Sequence, residues 1–198
     1  MTASDHRAPA PRTSAGKRDR LVAAASEIVY RQGAAVSTLA DIAAAADVPL
    51  GNVYYYFKTK EEIIAAVVQA HAEQLTAGVA ALERRHRSPK TRLKALVEVL
   101  AERRDEIARY GCPYGSLSAE LSKRGAGTDA AAVSLLQVPL EWAERQFRAM
   151  GRRDAHDLAV ELVAGYQGAA VVASALGRPE LMSRAARRLK KWIEALDG

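Results

Sequence analysis

The sequence has few of the features that mark secreted, membrane-bound or disulfide-linked proteins. It contains one cysteine, Cys112, in 198 residues, which excludes an intramolecular disulfide and suits a reducing compartment. No apolar run approaches the roughly 20 residues that a transmembrane helix needs. The first sixteen residues lack the apolar segment of a signal peptide. We therefore expect a cytoplasmic protein with no membrane partner.

Patterns typical of enzymes and metalloproteins are also scarce. The four histidines show no metal-ligand spacing with cysteine or carboxylates. No nucleophile elbow, phosphate-binding loop or dinucleotide fingerprint is present. We predict no metal site, no cofactor and no catalytic residue, and an enzyme is the least supported of the alternative functions.

Helix signals cover most of the chain and predict an all-α fold of nine helices. Hydrophobic residues make up 49% of the sequence, but Ala supplies much of this and Val–Ile–Thr alternation is scarce, which disfavours strands. Residues 1–14 are rich in Pro, Ala and Ser, so we predict a disordered arm there. The predicted helices span about 15–32, 38–46, 50–57, 59–85, 89–109, 113–123, 129–150, 154–176 and 179–196.

Capping patterns mark several of the predicted helix starts. Thr38 with Asp41, and Thr59 with Glu62, have the spacing of a capping box, in which side chains and backbone N–H groups satisfy one another. Asp154 stands at the start of the helix predicted at about 154–176, where its side chain could cap the first turn. Pro follows a plausible cap at 89, 113 and 179, in the first helical turn that tolerates it.

Four of the eleven aromatic residues stand side by side at Tyr54-Tyr55-Tyr56-Phe57. Consecutive residues point all round a helix, so at least one of these rings must face outward. The surrounding segment 37–57, STLADIAAAADVPLGNVYYYF, has the spacing of a helix-turn-helix, with Asp47 at the turn. We predict that Tyr56 and Phe57 face the core and that Tyr54 and Tyr55 face outward.

The segment TLADIAAAADVPLGNVYYYFKTKEEI resembles the DNA-binding signature of TetR-type transcriptional repressors, and KRDRLVAAASEIVYRQG is similar to the first helix of that family. This resemblance covers about residues 15–64. A shorter segment, GCPYGSL at 111–117, resembles the branch related to the LmrA and YxaF repressors. The resemblance implies a helix-turn-helix DNA-binding domain at 15–58 and a ligand-binding and dimerisation domain at 59–198. It further implies a homodimer bound to a palindromic, double-stranded operator.

The residues expected to contact DNA lie on and around the third helix. A tyrosine phenol can donate a hydrogen bond to phosphate, and an asparagine amide suits an adenine edge or a phosphate. Glycine lets the backbone approach the duplex, and helix N-termini attract phosphate. The net charge of +6 permits such a partner. The predicted contact residues are Thr38, Leu50, Gly51, Asn52, Tyr54, Tyr55, Lys58 and Lys60.

A small-molecule pocket among the later helices is implied by the family resemblance, whereas the periodicity of these helices gives no signal for one. Large apolar groups with a few polar tips suit either a pocket or a packed core. A pocket lined by such groups would bind a lipophilic effector. The effect of binding would reach the DNA through the long fourth helix, which would act as a rigid lever. The predicted pocket residues are Tyr110, Cys112, Tyr114, Trp142, Phe147, Tyr166 and Gln167.

Two alternatives remain open from the sequence. A protein of the same fold could bind DNA without any effector, as a ligand-independent or architectural protein. Cys112 precedes Pro113 at a predicted helix start, where a thiol can become reactive, but the burial habits of cysteine favour a small buried residue that only packs.

Overall fold

The computed structural model describes residues 16–123 and 130–196, and the regular elements within them are all α-helices. The predicted arm at 1–14 lies outside the described residues, as does the segment around Gly125 and Gly127. The helices are α1 Lys17–Gln32, α2 Leu39–Ala45, α3 Leu50–Tyr56, α4 Lys60–Arg85, α5 Pro89–Glu102, α6 Arg104–Tyr110, α7 Pro113–Ser122, α8 Ala130–Ala149, α9 Ala155–Leu176 and α10 Glu180–Ala195.

All nine predicted helices are present among the described residues, but one of them is divided. The helix predicted over about 89–109 is interrupted at Arg103, which has φ −90° and ψ 15° and separates α5 from α6. No Gly or Pro signals this break. The Arg103 guanidinium instead bonds Glu106 at 3.0 and 2.8 Å and lies 5.8 Å from the centre of the Tyr30 ring. The interruption turns α6 towards α1.

The predicted caps are confirmed in part. The Thr38 hydroxyl accepts a hydrogen bond from the Asp41 N–H at 3.1 Å, and the Asp41 carboxylate accepts one from the Thr38 N–H, so this capping box is complete. At α4 the Thr59 hydroxyl accepts from the Glu62 N–H at 3.2 Å. The Glu62 carboxylate accepts from the Lys58 N–H instead of the N–H of Thr59, so only half of that predicted pair forms.

The predicted cap at Asp154 is wrong in its chemistry. Helix α9 begins after Asp154 as expected, but the Asp154 side chain makes no capping hydrogen bond. Its carboxylate accepts two hydrogen bonds from the Arg152 guanidinium, at 2.9 and 2.8 Å. A bidentate bond to a guanidinium is stronger than a single bond to a backbone N–H, so the neighbouring arginine takes the carboxylate.

Helix α4 connects two of the hydrophobic clusters. Its N-terminal half places Ile63 and Val67 in a cluster with α1–α3, and this cluster extends to Leu117 of α7 and Leu135 of α8. Its C-terminal half contributes to a second cluster with α5, α8, α9 and α10, in which Trp142 and Phe147 are fully buried. A third, smaller cluster joins α6, α9 and α10.

Helix α9 buries one face and exposes another that is apolar. Val160, Val171, Val172 and Leu176 are 41%, 67%, 49% and 59% exposed, whereas Tyr166 and Ala170 on the other face are buried. Among the described helices, α9 is long and apolar enough to cross a membrane by length and composition, a test that core helices of globular proteins also pass. Its exposed face is therefore apolar surface that nothing in the described part of this chain covers.

Candidate nucleic-acid interface and small-molecule cleft

The α2–α3 unit forms the predicted helix-turn-helix. Asp47 has φ +51°, the left-handed conformation that the turn requires and that Asp tolerates better than most residues. The Val48 N–H donates to the Ala43 carbonyl at 3.0 Å, which closes the turn. Ala43, Val48 and Val53 are 4%, 4% and 0% exposed, so the two helices are in close contact. The packing holds α3 in one orientation on α2.

The four consecutive aromatic residues divide between core and surface as predicted. Phe57 is 3% exposed, and Tyr56 is half-buried against the same cluster. Tyr54 and Tyr55 are 47% and 78% exposed. The Tyr55 ring meets the Tyr56 ring edge to face, with centroids 5.0 Å apart, so the inner ring supports the outer one. Helix α3 thus exposes two phenols to solvent, while Tyr56 and Phe57 pack against the core.

The other predicted contact residues surround these phenols. Leu50, Gly51 and Asn52 are exposed on the first turn of α3. A Cβ added at Gly51 would meet nothing within 4 Å, so this turn leaves open space in front of the backbone. The spacing of Gly51, Tyr54 and Tyr55 places them on one side of α3. Lys58 follows the end of α3, and its ammonium donates to the Tyr54 carbonyl. The result is a polar and aromatic surface on a short helix.

The hydroxyl and ammonium groups at its edge already have protein partners. The Thr38 hydroxyl bonds the Asp41 carboxylate at 2.6 Å. The Nζ atoms of Lys58 and Lys60 each donate a 2.6 Å hydrogen bond to a backbone carbonyl, of Tyr54 and Ala35 respectively. An ammonium has three donors, so each lysine keeps donors that can reach a phosphate.

Arg18 is one nearby cation that the sequence analysis missed. Its guanidinium lies 5.3 Å from the centre of the Phe57 ring, beside the turn that joins α3 to α4. A single arginine in the first turn of α1 has no spacing that would associate it with residues forty positions away. Only the packing of α1 against this turn reveals it.

A cleft of about 490 Å³ opens between α6, α7, α8 and α9. Three predicted pocket residues line it: Tyr110, Cys112 and Gln167. The side chain of Gln167 donates to the Cys112 sulfur at 3.5 Å, and the Gly115 N–H does so at the same distance. The remaining described lining residues are uncharged and most are small, and small residues give no sequence signal for a pocket. They are Gly111, Gly115, Ser116, Ala119, Leu136, Ala170, Val171, Ser174 and Ala175.

The other four predicted pocket residues lie elsewhere. Trp142 and Phe147 are fully buried in the second cluster, where the Trp142 indole N–H donates to Glu83 at 2.9 Å. Tyr114 packs its ring edge to face on His71, with centroids 5.4 Å apart. Tyr166 lies in the third cluster, where burial raises the pKa of its phenol. These four side chains serve packing, because large rings fill the gaps between long helices.

Comparisons with known proteins agree with this geometry. The family model described as "Bacterial regulatory proteins, tetR family" matches residues 21–67, which contain most of α1, all of α2 and α3, and the start of α4. The HTH-type transcriptional repressor DhaR of Mycobacterium sp. (strain GP1) is 31% identical over 163 residues, which cover 77% of this chain and 79% of that protein.

Two further similarities support the same conclusion. An HTH-type transcriptional regulator in the lacX 3′ region of Lactococcus lactis subsp. lactis is 28% identical over 110 residues. That match spans 53% of this chain and 55% of that relative, about half of its length. The crystal structure of a TetR transcriptional regulator from Legionella pneumophila has a TM-score of 0.79 at 16% identity and covers 91% of this chain and 99% of that chain. At this identity the structural likeness shows the fold alone.

Proposed function

Because the chain belongs to the TetR family of DNA-binding transcriptional regulators, we propose that it is a repressor that a small lipophilic effector releases from its operator. It acts in the cytoplasm as a homodimer on palindromic, double-stranded DNA. The observation that best supports DNA binding is the exposed Tyr54–Tyr55 pair on a helix-turn-helix. The relative DhaR is named as a repressor, which supports repression over activation.

The proposed DNA contacts have distinct roles. Tyr54 and Tyr55 donate to phosphates and lay their rings against sugar or a thymine methyl, because phenols combine an apolar face with a polar tip. Asn52 contacts a base edge, and Gly51 gives the backbone room to approach the groove. Lys60 contacts a phosphate from the first turn of α4, where the helix N-terminus also favours negative charge. Thr38, Leu50 and Lys58 complete the surface.

A second copy is proposed to cover the apolar face of α9. One short recognition helix, α3, contacts too few base pairs for specificity. Two copies about 34–36 Å apart are therefore needed to reach successive major grooves. The exposed valines of α9 supply apolar surface, and Gly165 and Gly168 allow close helix approach. Helix α10 borders this face, so we assign the interface to about residues 154–176 and 179–196.

The cleft beside α7 is the proposed effector site. The described residues of its lining include no charged side chain and offer Gln167, Ser116 and Ser174 as hydrogen-bonding groups. An uncharged, mainly apolar molecule with one or two polar atoms suits these walls. The GCPYGSL segment forms one wall, and it also supports a place in the LmrA- and YxaF-like branch of the family.

Helix α4 is the proposed lever between the two halves of the molecule. It runs unbroken from Lys60, directly after the recognition helix, to Arg85, and its side chains enter clusters at both ends. A rigid-body tilt of such a helix would change the spacing of the two DNA-binding units in a dimer. A coupling of about 1–3 kcal/mol would change operator affinity 5- to 150-fold.

The test begins with selection of bound duplexes from a random-sequence DNA library by the full chain. We expect a palindromic consensus, a two-to-one protein–duplex stoichiometry and footprints one helical turn apart. Lipophilic compounds that raise the melting temperature are then tested for loss of affinity to the selected duplex. A compound that occupies the cleft without changing this affinity would support ligand-independent DNA binding, and selection of no sequence would refute the repressor.

A further inference from the structure

Helix α7 lies between the cleft and the DNA-binding helices. One side of it, with Ser116 and Ala119, lines the cleft against α9. Another side, with Leu117, enters the hydrophobic cluster that contains α1, α2 and α3. The lining residues of the cleft come from α6 to α9, so a bound molecule would touch α7 directly. It would reach the proposed lever α4 only through α7 and α8, whose Leu117 and Leu135 share a cluster with the N-terminal half of α4.

The Glu120 carboxylate joins α7 to the loop between α1 and α2. Its two oxygens accept hydrogen bonds from two consecutive backbone N–H groups, of Ala34 at 2.9 Å and of Ala35. Gly33 precedes them with φ +90°, and a Cβ there would lie 3.3 Å from a Glu120 oxygen. Both the backbone conformation and the close approach of the carboxylate therefore favour glycine at this position. A charged acceptor bonded to two amides is a strong contact.

The same loop is bonded from its other side by the DNA-binding surface. The Lys60 Nζ donates to the Ala35 carbonyl at 2.6 Å. Four residues after Gly33, the Ser37 hydroxyl donates to the Gly33 carbonyl at 2.6 Å, and α2 begins at Leu39. The loop is thus held between Glu120 of α7 and a lysine at the start of α4, just after the recognition helix, so its position affects the position of α2 and α3.

A second contact joins α1 to the turn that precedes α7. The Tyr30 hydroxyl donates to the Gly111 carbonyl at 3.2 Å, and the Tyr30 ring meets Tyr110 edge to face with centroids 5.5 Å apart. Burial raises the pKa of Tyr30 to about 12, so the phenol remains a donor across the physiological range. Tyr110 and Gly111 both line the cleft. The wall of the cleft therefore contacts the end of α1 at two points.

Helix α7 also has open volume on the side that faces α1. A cavity of about 190 Å³ lies there, lined by residues that include Tyr30, Gly33, Pro113, Leu117 and Glu120. A helix with cavities on two sides can shift without the overpacking that a close-packed core would impose. The volume beside the packed Leu117 thus leaves room on this side of α7.

We propose that Glu120 is the positioning residue through which α7 holds the α1–α2 loop in the conformation that binds DNA. An uncharged molecule in the cleft displaces α7, moves this carboxylate and thereby weakens DNA binding. The second half of this inference rests on the proposed effector function, whereas the first half concerns the unliganded protein and stands without it.

The first experiment replaces the carboxylate with an amide of the same size. Glu120→Gln has one acceptor oxygen in place of two, so one loop N–H loses its partner. We expect about tenfold weaker binding to the selected duplex, within the usual range of coupling between sites. Loss of one negative charge by itself would strengthen DNA binding. The sign therefore separates lost positioning from altered charge.

Glu27→Gln is the matched control, since Glu27 is an exposed glutamate of α1 whose contact is with Arg31. It should bind the duplex as tightly as the wild type or slightly more tightly. Amide hydrogen exchange provides a readout independent of DNA: Ala34 and Ala35 should exchange faster in Glu120→Gln and unchanged in Glu27→Gln. Wild-type affinity and wild-type exchange in Glu120→Gln would overturn the inference, even if the wild type selects a palindrome as proposed.

The second experiment fills the cleft from its α9 wall. Ser174 faces the α6–α7 turn, since a Cβ on Gly111 would lie 3.9 Å from the Ser174 hydroxyl. Ser174→Phe should weaken binding to the duplex in the wild-type background and have little further effect in Glu120→Gln, because both changes act through one contact. Ser174→Leu replaces it if the larger variant unfolds. The inference would be overturned if the double variant lost affinity by the product of the two single losses. It would also be overturned if neither Ser174 variant changed affinity for the duplex.

Discussion

Helices α3 and α9 both expose apolar groups, but the groups differ in kind. Helix α3 exposes Tyr54 and Tyr55, whose rings end in hydroxyls and stand near lysines. Helix α9 exposes Val171 and Val172, which offer only apolar atoms. Phenols suit a surface of phosphates, sugars and bases, whereas bare valines gain most from another apolar surface. The chemistry of an exposed patch, more than its area, therefore indicates its partner.

The largest expected effect comes from a charge on α9. Val172→Asp places a carboxylate in the proposed dimer interface, where burial without a partner is costly. We expect monomers by sedimentation, and operator affinity at least about 100-fold weaker because the two half-sites are no longer bound together. Val99→Asp on α5 is the matched control, since Val99 is 47% exposed and Val172 is 49% exposed. A Val172→Asp dimer would contradict the assignment of this face.

A smaller effect is expected on α3, where single contacts add specificity. If Asn52 contacts a base edge, Asn52→Ala should lose about 1–3 kcal/mol of discrimination at one base pair of each half-site. Competition binding with duplexes substituted at each position measures this loss. A uniform loss over all positions would instead assign Asn52 to a phosphate.

Lys60→Ala tests the electrostatic part of the same surface. The loss of one phosphate contact should weaken binding to all sequences and lower the slope of log affinity against log salt by about 0.9. The bond from Lys60 to the Ala35 carbonyl releases no counterion, so the slope reports the phosphate alone. Arg85→Ala, an exposed cation in the last turn of α4, should leave the slope unchanged. An unaltered slope in Lys60→Ala would remove this residue from the interface.

The smallest effect concerns the pH dependence of stability and His71, which lies on α4 against Tyr114 of α7. Burial lowers the pKa of His71 below its ordinary value of 6.5, partly opposed by a hydrogen bond with Gln74 and assisted by the Arg103 charge. The unfolded chain then binds the proton more readily, so this group reduces stability as pH falls from above 6.5 through its folded pKa. His71→Gln should therefore lose less melting temperature than the wild type between about pH 8 and pH 5. Parallel losses would show that His71 has no part in acid sensitivity.

The helix-turn-helix could be predicted residue by residue from the sequence. Phe57 is buried and Tyr54 and Tyr55 are exposed as expected, and Asp47, at the predicted turn, has positive φ. Each of these features depends on neighbours within one or two helical turns, so periodicity and capping describe them. The break at Arg103 has no Gly or Pro to indicate it, and the Tyr30 ring that its guanidinium contacts lies in a distant part of the chain.

The cleft shows the opposite case. The family resemblance implied a pocket, for which large aromatic residues were the candidates, yet Trp142 and Phe147 fill the core, while small residues such as Ser116, Ala170 and Ser174 form the cleft walls. A large ring adds apolar surface wherever the helices leave a gap, and a cleft forms where side chains are too small to close one. Which residues meet at such a gap depends on how the helices cross.

Local spacing and capping were enough to predict the helices, the helix-turn-helix and the exposure of its tyrosines. The bond from the Ala34 N–H to Glu120, a residue 86 positions away, and the place of α7 between a cleft and the DNA-binding unit follow from tertiary packing. Contacts at such separations arise from the packing of whole helices, and no local pattern of residues records them.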